Sequence, residues 1–324
     1  MLYILFPNFE LYPKECDPAF VPEYQTAEVL GIKTMLMDHN KLCALKPDFL
    51  KRINHNGGTV VYRGWMVSPK QYEYMYNQIV RFGLNMLVNP IAYKAAHYFP
   101  ISYPFISEFT PKAVWSTSPL TDSRDLYSFI QSCGKVVLKD FVKTEKGTKF
   151  QYIDGTISRD KFRTLLKEFK QIRGELYAGG IVLKKYVQPK PYILSSLIQK
   201  PIGDSTVTRT NEWRAFFLNG KLLSFDQNSF LDPLRVDKPP IELVEKIGKN
   251  LFNVTPFFTM DFMECVDGNW IVIEVGDAQV SGLCGKQSRI HFFTGIQEKY
   301  LNYKKESVTD VDYEEVNIKN LNRN

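Results

Sequence analysis

Cysteine and histidine are scarce in this 324-residue sequence, at five and four residues. Cys16, Cys43, Cys133, Cys265 and Cys284 lie far apart and form no C-x-x-C pair. An odd, scattered set argues against a disulfide framework and against a structural zinc site. None has a histidine or acid at a telling spacing, so a thiol nucleophile is discounted as well. Long apolar runs are also missing, and nothing approaches the roughly 18 residues that span a bilayer. The opening Met1–Phe6 is too short for a signal-peptide core and lacks a basic leader; followed by Pro7, it reads as a buried strand. These absences predict a cytoplasmic protein with reduced thiols and no membrane partner. No strong charge of one sign is present: 41 basic against 35 acidic residues give +6, which suits an anionic ligand and is equally explained by solubility.

Aromatic residues are plentiful, with 23 Phe and 18 Tyr, so an aromatic-rich core is expected. The first hundred residues alternate strands at 1–6, 33–38, 59–62 and 84–88 with helices at 21–31 and from Pro69 to about Phe82, the latter capped by Ser68. That alternation predicts a mostly parallel sheet with right-handed crossovers and with ligands at the carboxyl ends of its strands. Pro100, Pro104 and Pro111 are expected to interrupt any long element and to mark a boundary near 100–111. Beyond it follow a strand at 135–140, a polar stretch at 142–149 read as a mobile hairpin, a basic amphipathic helix over 158–173 and a strand at 181–187. Asn219-Gly220, between apolar runs at 212–218 and 221–226, is the strongest hairpin signal in the chain. A second hairpin joins 257–264 to 270–275 through Asp267-Gly268-Asn269, and helices are predicted at 240–252 and 286–304. The basic helix alternates its Lys and Arg with Asp160 and Glu168 and needs its apolar face for the core, so nucleic acid is not the expected partner. The last twenty residues are polar and Asn-rich and are predicted to fray.

The most informative segment is 257–277, FFTMDFMECVDGNWIVIEVGD. Asp261 falls within one apolar strand and Glu274 near the end of the next. A carboxylate in such a strand is costly unless something neutralises it. Hairpin pairing can place the two acids on one face, where a bound Mg²⁺ would relieve both their repulsion and their desolvation. Asp277, just past Gly276, can supply a third oxygen ligand. The competing reading makes Asp261 and Glu274 solvent-facing positions on a half-exposed sheet, and the residue pattern weights the two equally. Glu264 and Asp267 read as surface and turn residues.

Several cations precede these acids. Lys139 ends the strand 135–140, and Lys184 and Lys185 interrupt 181–187, where alternation sends one to each face without saying which enters a cleft. Arg214 shares a face with Glu212 and has the geometry to grip a phosphoryl oxygen bidentately. Singly, each reads as an ordinary solvated charge. Their order along the chain carries the signal, because in phosphoryl transfer cations and Mg²⁺ neutralise the phosphate tail while the protein positions the reactants. Arg63 follows the strand 59–62 and reads either as a group for a substrate carboxylate or acyl-phosphate, or as a surface arginine before a Gly turn. His97 reads as a base or, more simply, as a packing residue.

This ordered set resembles the ATP-grasp superfamily across roughly 111–300. The segments Tyr62-Arg63-Gly64-Trp65, Asn89-Pro90 before Tyr93 and His97, Thr110-Pro111, and EVGDAQVSGL at 274–283 resemble its R-two-K clade, family three, over nearly the whole chain. The resemblance implies a mixed α/β and α+β fold: a Rossmann-like pre-ATP-grasp domain at 1–110, an adenine-side lobe at 111–195, a metal-side lobe at 196–304 and a polar tail at 305–324. It implies ATP and Mg²⁺ as cofactors. Lys139 and Lys184 or Lys185 would touch the phosphates, the backbone from Lys185 through Tyr186 to Val187 the adenine edge, and Asp261, Glu274 and Asp277 the metal. The implied reaction joins a carboxylate, on a small molecule or a peptide, to an amine or thiol through an acyl-phosphate, releasing ADP and phosphate, with Arg214 and Arg63 as catalytic residues. A non-ligating ATP-binding assembly factor or switch of the same fold is the alternative. Two departures stand out. The stretch after Lys139 has a single glycine, Gly147, with Lys143, Lys146 and Lys149 around it, where many ATP-grasp enzymes have a glycine-rich phosphate cover. Gly276 stands where many relatives place Asn, two residues beyond the metal-binding Glu, which makes Asp277 the candidate replacement.

Overall fold

A computed structural model of the chain describes residues 1–52, 54–145, 147–193, 208–228, 236–284 and 287–303. Lys146 and the polar tail at 305–324 lie outside the described residues. The chain opens with β1 (Leu2–Pro7), α1 (Val21–Val29), β2 (Lys33–Met37), a short α2 (His39–Cys43), β3 (Thr59–Tyr62), α3 (Pro69–Arg81) and β4 (Asn85–Met86). Its four strands form a parallel sheet in the order β2-β1-β3-β4. β1 is paired on both edges and all six of its residues are buried, as a continuous apolar strand inside a parallel sheet should be. α3 starts at a capping box: Ser68 Oγ accepts from Gln71 N, and Gln71 Oε1 accepts from Ser68 N. β4 keeps two of the five residues expected at 84–88. The Val88 carbonyl goes instead to the Tyr72 hydroxyl at 2.9 Å, and Asn89 already caps the next helix.

That helix is α4 (Pro90–His97), followed by α5 (Phe99–Ile106). The prolines expected to keep 100–111 irregular do not prevent α5. Pro100 sits in its first turn, where a missing N–H forfeits no bond, and Pro104 falls near the end of only eight residues. A second sheet follows from β5 (Ala113–Ser116), α6 (Ser123–Cys133), β6 (Lys135–Asp140), β7 (Tyr152–Asp154), α7 (Arg159–Arg173) and β8 (Ile181–Lys185), antiparallel in the order β5-β8-β6-β7. The hairpin read at 142–149 is the connection between β6 and β7. Ser158 caps α7, whose Phe162, Leu166 and Phe169 enter the core of this sheet.

β9 (Pro191–Ile193) and β10 (Thr208–Thr210) pair by themselves, and then come β11 (Glu212–Leu218), β12 (Lys221–Gln227), α8 (Ile241–Phe252), β13 (Phe257–Glu264), β14 (Trp270–Asp277) and α9 (Arg289–Tyr303). The third sheet is antiparallel in the order β12-β11-β13-β14. Asn219 and Gly220 both have positive φ, 51° and 69°, the conformation a two-residue hairpin turn requires. Alternation divides this sheet into two faces. Ala215, Phe217, Phe258, Met260 and Phe262 share a core with Val244, Ile247 and Leu251 of α8. Phe216, Leu218 and Phe257 point the other way, into one core with Phe292 and Phe293 of α9 and the first sheet. No helix among the described residues is long and apolar enough to cross a membrane.

Gly248 lies where α8 crosses β11, and a Cβ at that position would run into the Phe217 ring, itself stacked on Phe258 at 5.0 Å. Gly248→Ala is therefore expected to destabilise by about 1–3 kcal/mol through overpacking, despite alanine's better helix propensity. Urea unfolding of the two proteins checks this; an unchanged or higher midpoint would show that the glycine does not set the helix–sheet spacing.

Candidate functional site

The acids expected to act together sit on β13 and β14. Their hairpin pairs Glu264 with Trp270, Met263 with Ile271 and Phe262 with Val272. Continued unbroken, that register would put Ile273 opposite Asp261 and turn Glu274 toward α8. Instead the register shifts between Phe262 and Asp261, so that Ile273 is an extra residue and Glu274 lies directly opposite Asp261. A β-bulge thus brings both carboxylates onto the face away from α8.

β14 is an edge strand, and its carbonyls at the bulge are covered from the other sheet and the linker. Val272 N donates to Phe109 O at 2.7 Å, and Thr110 Oγ1 donates to Val272 O at 2.7 Å. Lys184 reaches across from β8 and donates Nζ to Val272 O at 3.3 Å and Ile273 O at 3.0 Å. Of the two lysines that alternation leaves undecided, Lys184 is the buried one and Lys185 the exposed one. Burial, reinforced by Lys139 and opposed by Glu274, pushes the Lys184 ammonium down to about 7. Lys139 and Lys184 both hold Nζ over the Phe99 ring, at 5.5 and 5.3 Å from its centroid.

Arg214 is the register partner of Asp261 and holds it bidentately, Nε to Oδ1 and Nη2 to Oδ2, each at 2.7 Å. Asn228 Nδ2 adds a bond to Oδ2 at 3.0 Å. Burial pushes the Asp261 carboxyl up, and Arg214 pulls it back. The sequence pattern points to a metal for this neutralisation; the structure supplies it from a neighbouring strand. Asp277, expected as a third ligand, is wholly buried, and its Oδ1 accepts from Gln279 N at 2.8 Å and Gln279 Nε2 at 3.1 Å. Burial pushes its carboxyl up to about 7. Among the described residues no three acids, histidines or cysteines are grouped to hold a metal ion, so Asp261, Glu274 and Asp277 are not assembled as one set.

Arg63 corrects both of its sequence readings, since it is neither on the surface nor open to a substrate carboxylate. It is 1% exposed, and its Nε and Nη2 grip both oxygens of Glu23 at 2.8 and 2.7 Å. Its Nη1 donates to the carbonyls of Ala278 and Ser281. Gly64 N donates to Gln279 O, and Tyr62 N to Gln279 Oε1. The YRGW and EVGDAQVSGL segments are thus two halves of one buried joint. Glu264 is a second correction: it is buried, not superficial, and accepts from Lys190 Nζ at 2.6 Å, Tyr192 OH at 2.6 Å and Asn211 Nδ2 at 2.8 Å. Against the burial that would raise it, these donors hold its carboxyl below the usual range. Asp267 caps its turn as expected, accepting from Asn269 N at 3.0 Å.

Two cavities meet at these residues. The larger, about 590 Å³, opens between the second and third sheets and is lined by Lys139, Lys184, Lys185, Tyr186, Val187 and Glu212 among others. The smaller, about 140 Å³, is lined by Arg214, Thr259, Asp261, Glu274, Gly276 and His97 among others. His97 Nδ1 lies 2.8 Å from Tyr93 O, which fixes its proton there; Nε2 is buried without a partner among the described residues. Burial pushes the imidazole down to about 4. The structure therefore gathers Lys139, Lys184, Lys185, Tyr186, Val187, Arg214, Asp261, Glu274 and Asp277 around adjoining cavities and places Arg63 outside them. Neither the bulge nor the roles of Phe99 and Glu264 carry any local sequence signal.

The sequence matches the family described as ATP-grasp domain, R-two-K clade, family 3, over residues 130–295. A search of curated proteins finds no match. Among solved structures, the chain is similar to D-cycloserine synthetase DcsG, with a TM-score of 0.59 over 92% of this chain and 99% of that one at 13% identity. It is similar to ATP-grasp ligase PsnB, solved with a phosphomimetic variant of a minimal precursor, Mg and ADP, at a TM-score of 0.57, 92% and 98% coverage and 9% identity. It is also similar to macrocyclase MdnC of Microcystis aeruginosa MRC, solved with precursor peptide MdnA, at a TM-score of 0.54, 92% and 99% coverage and 11% identity. Identities this low show a shared fold.

The Lys184 site makes a signed prediction. With its ammonium near 7 when folded and near 10.5 when unfolded, the folded chain binds fewer protons between those values. The stability of the ligand-free protein should therefore rise as pH climbs through that window and fall as pH drops toward 7. Urea unfolding at intervals across the window, compared with Lys184→Met, isolates this contribution; equal slopes in the two proteins would show that Lys184 is charged in the fold.

Proposed function

Because the chain belongs to the ATP-grasp domain family, R-two-K clade, family 3, we propose that it binds ATP with Mg²⁺ between its second and third sheets and uses it to join a carboxylate to an amine. The observation that carries this reading is the convergence of Asp261 and Glu274, by way of the bulge, beside a cavity walled by Lys139 and Lys184. The donor chemistry fits. Two adjacent carboxylates are the hard oxygen ligands Mg²⁺ prefers. Asp261 Oδ1 accepts one bond, from Arg214 Nε, which leaves it a lone pair to offer. Lys185, Tyr186 and Val187 line the cavity; the N–H groups of Lys185 and Tyr186 already donate to Lys112 O and Lys135 O, so the Val187 amide and the carbonyls of this stretch would meet the adenine edge, while Lys184, acted on by both Lys139 and Glu274, would meet the phosphates.

ATP supplies the phosphoryl group that turns a poor electrophile, a carboxylate, into an acyl-phosphate, and Mg²⁺ offsets the charge of the phosphates. The chain's own residues bind and orient. Lys184, close to neutral when alone, gains a proton as anionic oxygens approach it and so tightens on them. Arg214 opposes the burial that raises the Asp261 carboxyl and holds it in place, and can turn Nη1 from Gly282 O to an oxygen in the smaller cavity. An amine entering that cavity meets the unpartnered Nε2 of His97, which can accept its N–H. No side-chain nucleophile is required. The solved structures named above include a synthetase of a small molecule, D-cycloserine, and two enzymes solved with peptide precursors, and small-molecule and peptide substrates alike fit a carboxylate and an amine meeting in a small polar chamber.

The purified protein should release ADP and phosphate from Mg·ATP when amino acids or short peptides supply both a carboxylate and an amine, with a product lighter by one water than the two joined. Glu274→Gln should lower that turnover by at least about a hundredfold. Coupled ADP detection and mass spectrometry read both. Tight Mg·ATP binding with no turnover under any such pairing would favour the non-ligating switch instead.

A further inference from the structure

Among the described residues, the two cavities share two lining side chains, Lys143 and Glu274. On the ATP reading above, this crossing is where a nucleotide in the larger cavity and an acceptor in the smaller can exchange a group. We propose that Lys143 is a further catalytic residue, contacting the transferred phosphoryl group at the crossing, and that Asp140, Arg173 and Glu145 are its positioning residues.

Lys143 forms no ion pair with an acid among the described residues, whereas Lys149 of the same connection is held by Glu168 of α7 at 2.7 Å. Its backbone, by contrast, is pinned. Asp140 is wholly buried at the end of β6; its N–H donates to Lys143 O at 3.0 Å, and its Oδ1 accepts from Val142 N at 2.7 Å and Lys143 N at 2.6 Å. Asp140 Oδ2 takes Arg173 Nε at 2.9 Å and Ala178 N at 3.3 Å. The same guanidinium donates Nη1 to Glu145 at 2.7 Å, two residues beyond Lys143. Carboxylates on both sides of Lys143 are therefore tied to one arginine in the last turn of α7. A buried carboxylate with four donors does not change partners cheaply, so the backbone from Asp140 to Lys143 is fixed before any ligand arrives. That leaves a lysine with no acid paired to it among the described residues, on a preorganised turn, where the linings of the two chambers meet. Such an arrangement stabilises charge that moves past it.

The step balances simply. A carboxylate oxygen forms the new bond to the γ-phosphorus, the bond from that phosphorus to the β–γ bridging oxygen breaks, and the electron pair leaves with ADP. Lys143 donates hydrogen bonds to the non-bridging oxygens of the moving group. In the sequence this lysine is one of three near Gly147, and nothing local separates it from the others, because the distinction lies in Asp140, Arg173 and Glu168.

Calorimetric titration of the full chain with Mg·AMPPNP and with AMP tests the inference. Lys143→Gln should weaken AMPPNP about tenfold or more, the worth of a charge-assisted hydrogen bond, and leave AMP within about twofold; Lys143→Arg should restore most of the loss. Glu145→Gln should weaken AMPPNP less, leave AMP unchanged, and have no further effect once Lys143 is already Gln, which a merely structural role would not produce. Wild-type binding of AMPPNP that survives Lys143→Gln, or an equal loss for AMP, overturns the inference alone. A wild-type protein that binds neither nucleotide overturns the ATP reading and the inference with it.

Discussion

Ile273 has no partner across β13, and that single unpaired residue decides on which face of the third sheet Glu274 lies. An unbroken hairpin would leave Asp261 facing the first sheet and bury Glu274 against α8, where an isolated carboxylate has no compensation. Inserting one residue rotates Glu274 onto the face of Asp261, at the cost of local ladder bonds and of two carboxylates on adjacent strands. The rest of the site answers these two costs. Arg214 spans Asp261 from β11, and Lys184, with Thr110, takes the carbonyls the bulge leaves open. Lys184 therefore does two things at once: it joins the second sheet to the third, and it stands ready as a cation whose charge depends on what enters the cavity.

The joint around Arg63 commits the Tyr62–Trp65 segment to packing. Tyr62, Arg63 and Gly64 at the end of β3 are bonded to Ala278, Gln279 and Ser281 just past β14. Asp277 is held by the same Gln279, and Tyr72 OH bonds its side chain too. A buried arginine paired bidentately with Glu23 and capped by carbonyls leaves little to offer a ligand. What it does fix is the path of the chain after Glu274, and with it the wall formed by Gly276 and Ser281. The motif sits beside the smaller cavity because it builds that wall.

Local signals are legible in the sequence and non-local ones are not. Ser68 and Ser158 capping their helices, Asn219-Gly220 turning its hairpin, and the period-two strands 212–218 and 257–264 each depend on residues a few positions apart. The convergence of Asp261 with Glu274 is anticipated by the pattern, but simple pairing across Asp267-Gly268-Asn269 would not produce it; the bulge does. Arg63 and Glu264 mislead for one reason. Their partners, Glu23 in one case and Lys190, Tyr192 and Asn211 in the other, come from distant parts of the chain, and only packing reveals that a charge is already answered. The choice between Lys184 and Lys185 is likewise open to alternation and closed by the position of β14.

The unequal size of the two cavities constrains what the site can select. The larger has aromatic walls as well as cations: Tyr152 and Tyr186 meet edge to face at 5.3 Å, with Lys135 Nζ over both rings. A flat heterocycle and a charged tail suit such a surface. The smaller, near 140 Å³, has room for end groups rather than whole substrates, and on the proposed reading its lining of hydroxyls, acids and a neutral imidazole would discriminate by hydrogen bonding rather than by shape. Recognition of the rest of a substrate must then fall outside it. The lining residue Met66 is exposed, as is its neighbour Trp65, which is fixed by Phe20 at 5.1 Å and by Asp17. Both stand on the turn that the Arg63 joint holds in place, so the residues that build the chamber wall also set the approach to it.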